Sequence, residues 1–304
     1  MTIRLVIGFS RGSASDQIAR AIAPALERAL DRTIAIELRP GNNGADAACA
    51  VAGAKPDGTT VFIATLGTHA LAPHLNANLP YDAVADFAPI SLLTISPLVL
   101  ACHASTGVSS ARELIDLARS HPGELTYGTS AIGGAPHVAA ELFCAMAGVA
   151  MKHVRYARTE RLYEDLEAAR IALTFNNIMS VLPRCQSGAV RALAVTGASR
   201  TSSAGHLPTL SEAALPGYEM SNWLGVVAPK ATPTSVIDAI GRAIATAVRT
   251  RYVQDTLLSA GVTPCPGTPC AFGDFIEREL ARWRPVVARF LNLDPFSANP
   301  EPVP

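Results

Sequence analysis

Thr2-Ile3-Arg4-Leu5-Val6-Ile7-Gly8-Phe9-Ser10-Arg11-Gly12-Ser13-Ala14-Ser15-Asp16-Gln17-Ile18 decides the fold. Residues 3–9 are mostly apolar, the mark of a strand buried in a parallel sheet. Residues 10–15 form a small polar turn. From residue 16 to residue 30, Ile18, Ile22, Leu26 and Leu30 recur every four positions and lay one apolar stripe along a helix. Ser13 or Ser15 caps that helix, and Asp16 answers the positive end of its dipole. Strand, turn and helix in this order are the repeating unit of an α/β fold.

The same unit recurs outward along the chain. Residues 34–37 read as a second strand, ending at Arg39-Pro40-Gly41-Asn42-Asn43-Gly44 before an Ala-rich helix that runs to Ala54. Residues 60–64 read as a third strand, followed by a loop over 65–69. Residues 90–102 make a long extended run with a kink at Pro97. A second series then begins, with strands at 125–128, 152–156, 171–175 and 192–196. Helices are expected over 110–120, from Pro136 to about Met146, and over 161–169. A further extended run spans 223–228, and helices fill 234–250, 252–260 and 272–291. Strands alternating with helices predict parallel sheets. Two extended crossings, near 98–103 and 221–227, predict one domain inserted into another: residues 1–100 with 224–304, and residues 101–223. The proline-rich end over 294–304 reads as disordered or loosely docked.

Composition narrows the function. The 304 residues carry 25 basic and 25 acidic side chains, so no broad field is available for nucleic acid or an anionic membrane. Hydrophobic residues at 49% against 16% charged mark an ordered chain. No apolar run reaches the roughly 18 residues that span a bilayer. The first strand lacks the features of a secretory leader, so either the protein is cytoplasmic or a leader preceding it has been removed. No spacing of Cys and His suggests zinc, and no cofactor motif is present. Cys265 and Cys270, in Cys-Pro-Gly-Thr-Pro-Cys, read equally as a disulfide in an oxidising compartment or as two loop thiols.

Three turns share one plan, a strand, a run of Gly, Ser and Thr, then a helix start: residues 10–16, 65–69 and 129–137. Such turns lie at strand C-terminal ends, where open α/β sheets bind ligands, and helix N-termini there suit a carboxylate. Ser10, Gly12, Ser13, Ser15, Thr65, Gly67, Thr68, Ser130, Ala131, Gly133 and Gly134 are the candidate lining. Arg11 either faces an anion with bidentate geometry or is a solvated loop arginine, and Arg158 carries the same ambiguity. His137 sits in a first helical turn, where the dipole disfavours its protonated form. Asn176 and Asn177 either donate amide hydrogens to a ligand or form a turn. Three enzyme motifs are missing: no GxGxxG, GxxxxGK[ST] or HExxH occurs. Ser13 with His69 or His137 is the remaining hydrolase arrangement, and a capping serine is the commoner role. No catalytic residue is assigned.

Ordered motifs then carry a family resemblance. They are Arg39-Pro40-Gly41, Pro56-Asp57-Gly58, Gly67-Thr68-His69, Leu79-Pro80-Tyr81-Asp82, Asp86-Phe87-Ala88-Pro89-Ile90-Ser91, Leu125-Thr126-Tyr127-Gly128, Glu141-Leu142-Phe143, Arg191-Ala192-Leu193-Ala194-Val195-Thr196 and Leu215-Pro216-Gly217-Tyr218-Glu219. The chain resembles the Bug family, the extracytoplasmic solute receptors of tripartite tricarboxylate transporters. The resemblance implies a type II periplasmic-binding-protein fold, with two α/β lobes joined by two crossing strands and closing like a flytrap. It implies a periplasmic, monomeric receptor for di- or tricarboxylates, acidic amino acids or aromatic acids, which delivers its ligand to permease subunits in the membrane. A role presenting the ligand to a sensor kinase has the same sequence signature. It also adds Tyr156 to the site, with Arg158, Asn176 and Asn177 as the second lobe's grip. Departures are visible: Phe9-Ser10-Arg11-Gly12-Ser13 replaces Phe-Pro-Pro-Gly-Gly, Tyr156-Ala157-Arg158 replaces Tyr-Lys-Gly, and Asn176 replaces an Asp. Loss of that Asp disfavours a ligand with an ammonium group.

Overall fold

The computed structural model describes residues 2–130 and 132–292. Ala131 and the C-terminal segment over 294–304 lie outside the described residues. Strands β1 (Thr2–Ile7), β2 (Thr33–Leu38), β3 (Thr60–Thr65), β4 (Phe87–His103), β5 (Thr126–Thr129), β6 (Lys152–Arg155), β7 (Leu173–Asn177), β8 (Val190–Val195), β9 (Ser221–Pro229) and β10 (Thr263–Pro264) follow in chain order. The helices that position the site are α1 (Ala14–Leu30), α2 (Ala45–Ala52), α3 (Ala72–Leu75), α4 (Ala111–Ser120), α5 (Ala135–Ala147) and α6 (Thr159–Glu167).

The first compact unit comprises Met1–Ile95 and Trp223–Arg289. Its strands run in the order β2-β1-β3-β9-β4, with β10 on β4. β1 lies parallel to both neighbours, with Ile7 opposite Leu38 and Val6 opposite Phe62. Ile3, Leu5, Val6 and Ile7 are buried, as are Ile18, Ile22 and Leu26 on the stripe of α1. Each such side chain withdrawn from water contributes roughly 1.5–3 kcal/mol. Near the chain end, the Glu279 carboxylate accepts from the indoles of both Trp223 (3.0 Å) and Trp283 (3.1 Å). That bond fastens the last helix, Pro269–Asn292, to the start of β9.

The second unit is built on Ser96–Asn222. Its strand order is β4-β7-β5-β6, with β8 also on β4. β5 lies parallel to β6 and β7. β7 and β8 run antiparallel to β4, and in the first unit β9 runs antiparallel to β3. The expectation of parallel sheets therefore holds only for the trios β2-β1-β3 and β7-β5-β6. The reason is connectivity: β4 and β9 each pass from one unit to the other, so neither is the return strand of a βαβ crossover. Pro97 does not break β4. It falls between Ile95, paired with β10, and Leu98, paired with β7, where a missing N–H costs no ladder bond.

Residues 67–69 are also helical rather than part of a loop. A wide helical turn covers Gly67–Leu71 and continues into α3. The Thr65 hydroxyl accepts the Thr68 N–H at 3.1 Å, a helix-capping bond that turns the chain as soon as β3 ends.

Candidate functional site

In the first unit, β2, β1 and β3 are parallel, so their C-terminal ends share one edge. The turn after β1 is held by its own polar groups. Gly12 adopts φ +81°, a left-handed conformation that Gly takes at low cost. Its N–H donates to Asp16 Oδ2 at 2.9 Å. The Ser13 N–H donates to the Ser10 carbonyl, and Ser13 Oγ accepts the Asp16 N–H as the cap of α1. Ser13 and Ser15 hydroxyls stand 3.3 Å apart. Asp16 is buried and pairs with Arg20 at 2.8 Å, so an internal carboxylate already answers the positive end of α1. Ser10, Arg11 and Gly12 are exposed, and no hydrogen bond or ion pair of Arg11 occurs among the described residues.

The turn after β3 is equally self-contained. Thr68 Oγ1 accepts the Thr65 N–H at 3.0 Å, and its carbonyl accepts the Tyr81 hydroxyl at 2.6 Å. Thr65, Gly67 and Thr68 are buried. His69 is fully buried among Phe62, Tyr81 and Phe87, with Nδ1 3.0 Å from Thr68 Oγ1 and Nε2 unpartnered among the described residues. Burial pushes its pKa down to about 3.

A third turn joins these two, and the sequence reading assigned it no role at the site. Asn42, Asn43 and Gly44 take φ of 42°, 55° and 90° in succession. A Cβ on Gly8 would stand 2.5 Å from the Gly44 Cα, and one on Gly44 would stand 2.8 Å from the Thr68 methyl. The turns after β1, β2 and β3 thus close on one another through two glycines and a threonine. The signal was present in Pro40-Gly41-Asn42-Asn43-Gly44, since Asn and Gly are the residues that tolerate left-handed backbone.

In the second unit, β6, β5 and β7 end together. Thr129 lies opposite Arg155, and Gly128 opposite Thr174. Carrying those parallel registers forward places Ser130 beside both Tyr156 and Asn176. Gly134 is the N-cap of α5, with Pro136 in the first turn, no side-chain cap and no acidic residue there. His137 Nδ1 accepts the Gly133 N–H at 3.0 Å, which fixes the turn and requires a neutral ring. Burial and the neighbouring His153 lower the His137 pKa to about 3.

Behind this turn lies a polar cluster that sequence reasoning did not assemble. His137 and His153 stack at 4.3 Å, and Tyr127 stacks on His153 at 4.9 Å. His153 Nε2 bonds Thr129 Oγ1 at 2.6 Å, and the Tyr127 hydroxyl donates to Glu141. Burial, then the charge of Arg155, lowers the His153 pKa to about 4, while burial raises that of Glu141. The members come from β5, α5 and β6 and are scattered in sequence, so no spacing betrays them.

The remaining candidates differ in exposure. The Tyr156 ring is buried, packs on Gly128 and donates its hydroxyl to Asp165 at 2.9 Å. Arg158 is exposed at the N-cap position of α6 and makes no side-chain cap. Asn176 is only 3% exposed at the end of β7. Its Oδ1 accepts the Asn177 N–H at 2.8 Å, and its Nδ2 has no partner among the described residues. Asn177 is half-buried and receives a bond from Asn222. Cys265 and Cys270 are separate free thiols. Among the described residues, no group of three metal-ligating side chains forms a cation site, and no helix is long and apolar enough to cross a membrane.

Comparison with known proteins bears on this arrangement. The family described as the tripartite tricarboxylate transporter family receptor matches residues 18–292. A Pseudomonas sp. (strain P51) protein encoded between tcbD and tcbE is 31% identical over 289 residues, which are 95% of this chain and 86% of that protein. A Rhodopseudomonas palustris protein solved with adipate superposes with a TM-score of 0.90 at 35% identity, covering 94% of this chain and 96% of that one. A second R. palustris protein, solved with malate, gives 0.87 at 27% identity, covering 94% and 98%. The resemblance carried by the ordered motifs is borne out, and with it the two-lobed α/β fold of periplasmic binding proteins.

Proposed function

The chain belongs to the tripartite tricarboxylate transporter family of receptors, and from that premise we propose that it binds a small organic carboxylate in the periplasm and hands it to permease subunits. Di- and tricarboxylates and aromatic acids are the ligand classes. The protein acts as a monomer and leaves the ligand chemically unchanged.

The observation that supports this reading best is the N-terminus of α5. It has no side-chain cap and no carboxylate in its first turn, in a chain with no net charge. A helix end of this kind offers backbone N–H groups and a partial positive charge to an anion. The turns after β1, β2 and β3 supply a second set of backbone groups, brought together by small residues. The adipate and malate held by the two R. palustris proteins are both dicarboxylates.

Isothermal titration with a panel of dicarboxylates, combined with native mass spectrometry of the protein as purified, tests the reading. Micromolar or tighter binding with unchanged ligand recovered supports a receptor. Product formed from a bound ester or amide supports the hydrolase reading instead. Against the latter stands the way the relevant groups are engaged: Ser13 Oγ caps α1, and Nδ1 of His69 and of His137 bond Thr68 and Gly133.

A further inference from the structure

Three rings stand in a stack between the sheet of the second unit and the first turn of α5. Tyr127 of β5 lies on His153 of β6 at 4.9 Å and 18°, and His153 lies on His137 at 4.3 Å and 24°. The two outer rings meet again at one carboxylate. The Tyr127 hydroxyl donates to Glu141, and His137 Nε2 stands 3.9 Å from Glu141 Oε1. Arg155 on β6, Cys144 on α5 and, beyond it, Tyr218 are the other titratable neighbours among the described residues.

The two imidazoles reach opposite ends of the connection from β5 to α5. At its start, His153 Nε2 bonds the hydroxyl of Thr129, the last residue of β5, at 2.6 Å. At its end, His137 Nδ1 accepts the Gly133 N–H at 3.0 Å, one residue before the N-cap. Thr129 and Gly133 are both buried, so bulk water does not replace either bond once it is lost. The bond from Gly133 sets the tautomer of His137, with its proton on Nε2, toward Glu141. His137 is itself only 1% exposed, although the resemblance places it in a loop that grips the ligand.

We propose that His137 and His153 are positioning residues for ligand binding: they hold the two ends of this connection from inside and so aim the backbone N–H groups at the start of α5, while neither ring touches the ligand. The inference rests on the carboxylate-receptor reading, which takes that helix end as an anion site, and adds how the end is held. Both rings act uncharged. Burial, then the neighbouring His153, lowers the His137 pKa to about 3, and burial, then Arg155, lowers that of His153 to about 4. A proton on His137 Nδ1 would face the Gly133 N–H, donor against donor. It would break the hold rather than supply a cation to the ligand.

The test uses the full chain, a panel of dicarboxylates that includes adipate and malate, and paired variants. His137→Asn keeps an oxygen acceptor where Nδ1 stood, and His153→Gln keeps an amide within reach of the Thr129 hydroxyl. His137→Phe and His153→Phe keep a ring in the stack and lose the bond. Well below the melting temperatures, the Phe variants are expected to bind the preferred dicarboxylate about 10-fold more weakly, the scale of one buried bond left unmade. The Asn and Gln variants are expected to stay within about threefold of the unmodified protein. The affinity of the unmodified protein divided by that of His137→Asn, a ratio in which the ligand's own titration cancels, is expected to be flat from about pH 8 to about pH 6. A ratio that climbs several-fold as the pH falls means that an imidazolium pairs with the ligand directly, and overturns the inference. Nitrogen NMR of the free chain needs neither variant nor ligand: His137 is expected to be neutral with its proton on Nε2, and a proton on Nδ1 overturns the inference. Asn and Gln variants that lose as much as the Phe variants also overturn it, as do Phe variants that bind as tightly as the unmodified protein. Where a Phe variant does not fold, the pH ratio and the NMR measurement decide. Failure of the whole panel to bind overturns the receptor reading itself, and with it the site that these residues serve.

Discussion

The N-termini of α1 and α5 occupy equivalent places. Each helix follows the central strand of a parallel trio, β1 in β2-β1-β3 and β5 in β7-β5-β6. Their electrostatics are opposite. At α1, Ser13 caps the helix and Asp16, paired to Arg20, fills the positive end from within. At α5, a glycine stands at the cap, a proline follows, and the turn is braced from below by the neutral His137. The first turn is completed by backbone, small hydroxyls and the Asp16 carboxylate. The second is completed by titratable side chains, with an unspent amide at its edge.

Acid is the strongest way to separate the two. His69 in the first unit and His137 and His153 in the second have pKa values lowered to about 3, 3 and 4 by burial. A histidine that stays neutral when folded but protonates when unfolded contributes stability that is complete above the unfolded pKa near 6.5. That stability is lost as pH falls toward the folded value. Between pH 7 and pH 5 each such residue costs about 2 kcal/mol, so the second unit loses about twice what the first loses. Glu141 offsets part of this, because its raised pKa favours the protonated acid in the fold. Amide hydrogen exchange at the two pH values is expected to show β5 and β6 losing more protection than β1 and β3. A uniform loss across both units would break the contrast.

Glycine substitutions sharpen it next. A Cβ on Gly8 meets the Gly44 Cα at 2.5 Å, so the obstruction is backbone. A Cβ on Gly128 meets Ile171 Cδ1 at 2.5 Å and the Tyr156 ring at 3.1 Å, so side chains take up the strain. Gly8→Ala is expected to cost about 3 kcal/mol, at the upper end for overpacking, and Gly128→Ala about 1 kcal/mol. Chemical denaturation measures both, and equal costs would mean that the first turn yields as readily as the second.

Much of this was legible in the sequence, and the illegible part has a pattern. The stripe of Ile18, Ile22 and Leu26, the proline at the start of α5 and the small-residue turns all follow local rules that act within a few positions. The helical turn at residues 67–71 was misread because Thr65-Leu66-Gly67-Thr68 looks like a loop until the Thr65 cap is seen closing on Thr68. The antiparallel pairings of β4 and β9 depend on which strands cross between units, and β10 is too short to carry a period. The stacked His137 and His153, and the amide chain from Asn222 to Asn176, join positions 16 and 46 residues apart. Their meaning lies in tertiary placement, which no spacing encodes.

Arg11 gives the smallest and most discriminating effect. It is exposed, and among the described residues it has no partner, in a turn whose internal carboxylate opposes an incoming anion. If its guanidinium offsets that field, Arg11→Ala lowers affinity for a dianion a few-fold. The gap between the two proteins then closes as salt rises, because exposed charges are screened over about 10 Å at 0.1 M ionic strength. Stability should move by no more than about 0.5 kcal/mol, as for most surface substitutions. Titrations at low and high salt decide the matter. A loss that persists at high salt would mean direct contact between Arg11 and the ligand. The first turn would then also reach the ligand through a side chain, and the contrast with the second would narrow to the state of the two helix ends.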